Sequence, residues 1–309
     1  MNTLENRFGF SPFSVLRTMN KNWLDRKRHW VSLGLKGEVG REGTTAHSFN
    51  TKEWAADKGK TGAKHNTSLF DPFLCELVYR WFTPHKNSLI IDPFAGGPPR
   101  GIVAGTMGHR YIGTDLNKTQ IQANYDNLEE YMYDIKGVSW HNMNGLHLDT
   151  LYTLADEKAD LVFTCPPYGD LELYTDDPDD ISNMDYDSFM GTLLGILLRA
   201  FNCLNDNRFM VVVVSDFRNP KTGLYRGFPA ELTYKLKDMN VQLYNEFILV
   251  NSEGTLPFRV TKQFQQNRKA GKMHQNVLVF IKGDPRLLHE DFEMLGDDEE
   301  PMSEKAEWI

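Results

Sequence analysis

The chain has 309 residues, enough for one large α/β domain with small appendages. No run of about 18 apolar residues occurs, which excludes a membrane-spanning helix. Its formal charge of −8 is that of residues 284–309 alone, where ten acids face two bases, so residues 1–283 are neutral overall. Two basic stretches lie within that neutral part, and both are compatible with a polyanionic partner: residues 17–64 with eleven bases and five acids, and residues 255–283 with six bases and no acid. Residues 1–10 are polar and mixed in charge, unlike a secretory signal. Three cysteines, Cys75, Cys165 and Cys203, show neither metal-ligand spacing nor an even framework, so a reducing cytoplasm and no metal are expected.

Residues 1–66 lack sustained periodicity. Asn22–Trp30 has the composition of a helix, and residues 34–43 read as loop. Trp23, Trp30 and Trp54 lie among lysines and arginines. That interleaving suits nucleic-acid contact by charge and stacking, or equally an arm whose tryptophans pack on the main domain. Next, Phe73, Leu74, Leu77, Val78, Trp81 and Phe82 recur at helical spacing behind Asp71-Pro72, an N-cap followed by proline at the first helical position.

Ser88–Gly97, SLIIDPFAGG, is an apolar run ending in a glycine turn, the pattern of a buried parallel strand entering a ligand loop. Gly101–Met107 predicts a short helix and Tyr111–Leu116 a second strand. Asp115 closes that strand about 20 residues past the glycine turn, where doubly wound folds place an acid on ribose hydroxyls. The G-x-G-x-x-G phosphate loop is absent, which points away from a dinucleotide. Asn117–Tyr131 predicts a helix, Val138–Asn142 a third strand before Asn144-Gly145, and Asp160–Thr164 a fourth. Ser188–Leu204 predicts a helix, Arg208–Ser215 a fifth strand, Phe228–Met239 a helix, Val241–Val250 a sixth strand and Asn276–Lys282 a seventh. This alternation implies right-handed crossovers and a mostly parallel sheet. Strands six and seven are expected to pair antiparallel through a long basic loop, Asn251–Gln275.

The fourth strand ends in Cys165-Pro166-Pro167-Tyr168, a stiff turn at the strand end where open α/β sheets bind ligands. DPFAGG at Asp92–Gly97 followed by CPPY at Cys165–Tyr168 resembles the S-adenosylmethionine-dependent amino-methyltransferases, the N6-adenine and N4-cytosine DNA methylases. The resemblance covers residues 67–283. It is nearest the phage and prophage methylases with similar FTCPPY and HQNVLVF stretches, some of which serve restriction–modification. It implies an α/β class I methyltransferase (Rossmann-like) fold, a seven-stranded mostly parallel sheet with an antiparallel last strand. A basic arm (1–66) would precede the catalytic domain (67–283), with an acidic tail (284–309) after it.

The resemblance further implies S-adenosylmethionine held by Ser68, Asp71, Pro72, Asp92, Pro93, Phe94, Gly96, Gly97, Asp115, Leu116 and Asn144. Thr67, Ser68, Phe70, Asp71 and Pro72 match the segment that closes over the methionine end in the family. Catalysis would fall to Cys165, Pro166, Pro167 and Tyr168. The carbonyls of Cys165 and Pro166 and the Cys165 side chain would accept from the target amine, and Tyr168 would stack on a flipped base. The family has Asp, Asn or Ser where Cys165 stands and a glycine where Pro98 stands; Asp170 and Glu172 are further candidate proton acceptors. DNA is the expected partner, through Arg218 and Arg226 in the segment 215–227 and through Arg259, Lys262, Arg268, Lys269 and Lys272 in the basic loop. A homo-oligomer is compatible with the sequence. The order of the two motifs favours adenine over cytosine. Two alternatives stand beside this reading: a methyltransferase acting on RNA or a modified nucleobase, and a non-catalytic DNA-binding protein retaining the fold.

Overall fold

The computed structural model describes residues 3–36, 69–131, 134–153, 157–169 and 179–292. Ser68, Trp54, Asp170, Glu172 and the acidic end 297–309 lie outside the described residues.

The fold is the expected doubly wound α/β sheet with eight strands rather than seven. In chain order these are β1 (Val15–Arg17), β2 (Leu89–Asp92), β3 (Arg110–Asp115), β4 (Val138–Asn142), β5 (Ala159–Thr164), β6 (Leu204–Val214), β7 (Gln242–Val250) and β8 (His274–Lys282). Their order across the sheet is β1-β7-β8-β6-β5-β2-β3-β4. All pairs are parallel except the two made by β8, which runs antiparallel between β6 and β7. The extra strand, β1, pairs parallel with the far edge of β7; three residues flanked by turns are too short to leave a periodic signal.

Alternating residues sort to opposite faces, as the period of a strand requires. Ile90, Val211 and Val213 pack with Phe73, Leu77, Ile102 and Tyr111 on one side. Leu89, Ile91, Met210, Val212 and Val214 pack with Phe189, Leu193, Leu197 and Phe228 on the other. The first layer is built by α2 (Lys21–Ser32), α3 (Pro72–Phe82), α4 (Pro99–Thr106) and α5 (Lys118–Glu130), after the short α1 (Thr3–Phe8). The second holds α6 (Leu148–Thr153), α7 (Tyr186–Asn202) and α8 (Phe228–Asp238). Two further helices are α9 (Leu256–Asn267) and α10 (Leu288–Asp291). Starts are set locally: Asp71, Asn117 and Asp185 each accept from backbone N–H groups of the turn they cap.

One expectation is corrected and one open choice is decided. The segment between β7 and β8 is not a loop throughout but carries α9, none of whose residues is buried. Of the tryptophans left between stacking and packing, Trp23 and Trp30 are buried in the core with Phe10, Leu16 and Leu33. Among the described residues no helix is long and apolar enough to cross a membrane.

Candidate functional site

The C-terminal ends of β2, β3 and β5 open into a cleft of about 1140 Å³, the position where the crevice of an open α/β sheet takes its ligand. Both turns singled out in the sequence border it. From the glycine turn come Pro93, Phe94, Gly96 and Gly97; from the proline turn come Cys165, Pro166, Pro167 and Tyr168. Asp71, Asp115, Leu116 and Asn144 also line it.

Asp92 does not reach the cleft. It is fully buried and its oxygens accept four hydrogen bonds: from Arg100 Nε (2.5 Å), Tyr111 OH (2.8 Å), Thr164 Oγ1 (2.6 Å) and the Phe94 N–H (3.1 Å). One carboxylate thereby ties the glycine turn to β3 and to β5, and so fixes the two turns relative to each other. Arg100 adds bonds from Nη2 to the carbonyls of Phe94 (2.7 Å) and Ala95 (2.9 Å). Burial works against its charge, but the Asp92 carboxylate, Tyr111 and Cys165 around it together hold its pKa above the ordinary value. Burial first, then the charge of Asp92, pushes the Tyr111 hydroxyl well up, so it remains a donor.

The glycine turn is further shaped by Gly96, whose φ of +50° favours glycine. Its N–H donates to Asp115 Oδ2 (2.8 Å), and Asn124 Nδ2 donates to its carbonyl (2.7 Å). Asp115 Oδ1 accepts from the Asn117 N–H (2.8 Å). Gly113 lets the turn lie against β3: a Cβ there would sit 2.7 Å from the Cβ of Ala95. Asn144 accepts from the Leu146 N–H (2.9 Å). Pro72 is buried at the start of α3 and does not line the cleft. Asp71 Oδ1 caps that helix on Phe73 and Leu74, while its Oδ2 accepts from Trp23 Nε1 (3.1 Å) and Lys27 Nζ (3.0 Å).

In the proline turn, Tyr168 OH accepts from Gln275 Nε2 (2.7 Å) and lies 4.0 Å from Cys165 Sγ. Gln275 Oε1 in turn accepts from Asn251 Nδ2 (3.5 Å). Gly169, at φ +55°, closes the turn against Phe217. Nearby, Lys272 Nζ lies 2.9 Å from His274 Nε2. Burial lowers the pKa of both, and the Lys272 charge lowers that of His274 further.

The seven basic residues expected to meet nucleic acid are dispersed. Arg259 and Lys272 line the cleft; Lys262 lies on the exposed α9, and Arg268 and Lys269 follow it. Arg218 lies over the ring of Tyr225 (3.8 Å) and donates to the Gly223 carbonyl, and Arg226 lies over Tyr186 (4.1 Å); neither lines the cleft. Residues missed in the sequence are Arg100, Lys27, Asn251, Gln275 and Asp216. Asp216 lines the cleft and caps α8 through the Gly227 and Phe228 N–H groups. Arg100 had a usable signal, a lone charge at the start of an otherwise apolar helix. Among the described residues no group of three or more His, Cys, Asp or Glu is arranged to hold a metal ion.

No family model matches the chain. It is similar to the tRNA (guanine(10)-N2)-dimethyltransferase of Methanothermobacter thermautotrophicus, 34% identical over 80 residues, covering 26% of this chain and 22% of the relative. The protein of the same description from Methanocaldococcus jannaschii is 32% identical over 85 residues, 27% of this chain and 24% of the relative. The chain thus spans about a quarter of the length of the curated relatives it matches. Among solved structures it is similar to TrmN from Thermus thermophilus, at 12% identity and a TM-score of 0.48, covering 70% of this chain and 50% of that one.

Proposed function

We propose that this chain is an S-adenosylmethionine-dependent methyltransferase that modifies the exocyclic amino group of a base in RNA. The observation that carries the reading is the sharing of one cleft by the glycine turn, Asp115 and the Cys165–Tyr168 turn. RNA is favoured over DNA because the curated relatives are described as tRNA guanine-N2 dimethyltransferases. DNA is the second reading, supported by the order of the two motifs, which resembles that of DNA amino-methylases.

The cleft residues fit such a cofactor. Asp115 offers carboxylate acceptors at a strand end, as ribose hydroxyls require. Phe94, Leu116 and Ile196 offer apolar surface for an adenine ring, and a Cβ at Gly97 would meet only Pro99, so the backbone there is open to close approach. When bound, the cofactor supplies a methyl group on an electrophilic sulfonium.

This chain's own residues do the rest. The carbonyls of Cys165 and Pro166 accept N–H bonds from the target amine and draw its lone pair out of conjugation with the ring. An amine held this way would be placed to take the methyl group that the bound cofactor would supply. Tyr168 stacks on the extruded base, with its ring angle held by the Gln275 hydrogen bond. Asp92, through Thr164 and the Phe94 N–H, holds nucleophile and cofactor sites at a fixed separation.

The test is methyl transfer from labelled S-adenosylmethionine to unmodified RNA and to DNA, followed by nucleoside digestion. Label in a methylated amino-nucleoside from RNA is expected. Label in DNA alone moves the assignment to the second reading. A protein that binds the cofactor product but labels neither polymer is not a nucleic-acid methyltransferase.

A further inference from the structure

Residues 252–272 form an excursion from the sheet, closed at its base where the Asn251 N–H donates to the Met273 carbonyl (2.8 Å). The excursion carries α9, and no residue of that helix is buried. Both ends of the excursion are tied to the proline turn: Asn251 Nδ2 donates to Gln275 Oε1, and Gln275 Nε2 donates to Tyr168. Residues 252–256 and Arg259 line the cleft itself. α9 therefore starts at the rim of the pocket that holds Tyr168.

The helix has two unlike faces. Leu256 and Val260, one turn apart, are half-buried, and Leu256 packs on Gly271, where a Cβ would sit 2.7 Å from the leucine side chain. Phe258 lies two positions from each, so it projects to the opposite side. It is 86% exposed, the highest value among the described large apolar residues. Arg259 follows it, Lys262 stands one turn on, and residues 252–272 hold five bases against one acid, Glu253.

Single exposed apolar side chains are common, and what sets Phe258 apart is its surroundings. A protein partner is held by a contiguous apolar patch, but the neighbours of Phe258 on its face of α9 are Thr261, Lys262 and Gln265, none of them apolar. A lone ring among cations matches a nucleic-acid helix instead: the cations meet phosphates and the ring enters a base step. The pocket at Tyr168 supplies the need for such a ring. A base that reaches it must leave its stack, which is costly for a paired base and leaves a gap behind. A ring placed in that gap restores stacking on both sides.

We propose that Phe258 is a wedge that enters the stack of a helical RNA where the target base leaves, so that the chain acts on base-paired RNA rather than on unstructured strands. This rests on the RNA methyltransferase reading above.

The experiment uses the full chain, labelled S-adenosylmethionine and two pools of RNA of randomised sequence, one single-stranded and one copied into full duplex. Phe258→Ala changes an exposed side chain, so the fold is not at stake. It is expected to slow methyl transfer to the duplex about tenfold or more, as the loss of one ring–base stack implies, and to leave transfer to the single strand unchanged. Phe258→Trp keeps a stacking ring and is expected to stay near wild type on both pools. An unchanged rate on the duplex overturns the inference. So does an equal loss on both pools, which would make Phe258 an ordinary contact. A wild-type chain that labels the single strand but not the duplex overturns it as well. A wild-type chain that labels neither pool overturns the RNA reading itself, and the inference with it.

Discussion

At the scale of single residues, the hydroxyl of Tyr168 has a larger part than its ring alone would suggest. If the residue only stacked on a base, Tyr168→Phe would be nearly silent. In the structure the hydroxyl accepts from Gln275 Nε2, so Phe leaves a half-buried amide donor without that acceptor, at a cost of about 1 kcal/mol. Tyr168→Ala is expected to cost about 1–3 kcal/mol in substrate engagement through lost stacking. Single-turnover methylation of Tyr168→Phe, Gln275→Leu and the double variant checks the coupling: the two single losses should not add. Additive losses would mean that the hydrogen bond does not orient the ring.

His109 gives a second prediction at this scale. Burial, then the nearby His85, lowers its pKa from 6.5 to about 4, and among the described residues its Nδ1 has no hydrogen-bond partner. The folded state thus prefers the neutral ring. The associated stability is fully present above pH 6.5 and is lost as pH falls toward 4, by up to about 3 kcal/mol for a shift of this size. His109→Gln is expected to flatten that part of the stability profile, measured by urea unfolding at pH 7 and pH 5. A parallel loss in wild type and variant would place the acid sensitivity elsewhere.

At the scale of elements, α2 and α3 are joined by a buried pair. Glu76 accepts from Arg26 Nη2 (2.8 Å) and from Trp30 Nε1 (2.7 Å), and the Glu76 side chain is 5% exposed. Arg26→Ala leaves that carboxylate without its guanidinium partner, and about 3 kcal/mol of stability is expected to go with it in denaturant titration. Arg26→Ala with Glu76→Gln, which removes the unpaired charge and keeps an acceptor for the Trp30 indole, should recover much of the loss. The other element with a sharp expectation is α9. It carries Arg259 and Lys262, no acid, and Phe258 at 86% exposure, beside the cleft mouth. Arg259→Ala with Lys262→Ala is expected to weaken RNA binding and reduce the log–log salt slope by about 0.7 per lost phosphate contact. An unchanged slope would take α9 out of the interface.

The same two elements show what was legible in the sequence. The central strands, the glycine turn, the proline turn and the Asp71 cap were readable because each signal lies within a few consecutive residues. α9 was not, although Leu256, Val260 and Phe264 recur four apart, because the basic and amide residues between them read as loop. Asp92 was read as a ligand contact because an acid at a strand end serves a ligand and a buried network equally well; only the three-dimensional convergence of Arg100, Tyr111 and Thr164 separates the two. Tyr168 and Gln275 lie 107 positions apart and Trp23 and Asp71 lie 48 apart, so neither contact has a local signature.

At the scale of the whole molecule, the pairing of β1 with β7 has a consequence for how the protein is made. Thr18 bonds to the carbonyl of Val250, 232 positions away. During synthesis the segment that holds β1 and α2 therefore emerges long before the strand it must join. Leu16, wholly buried in the finished fold, waits without its sheet edge until β7 leaves the ribosome. Contacts of such separation are slow to form, and apolar surface left uncovered meanwhile is open to misassociation. The cleft wall that carries Thr18 is thus among the last parts to be completed, so a nascent chain halted before residue 242 has its two signature turns but not the finished pocket.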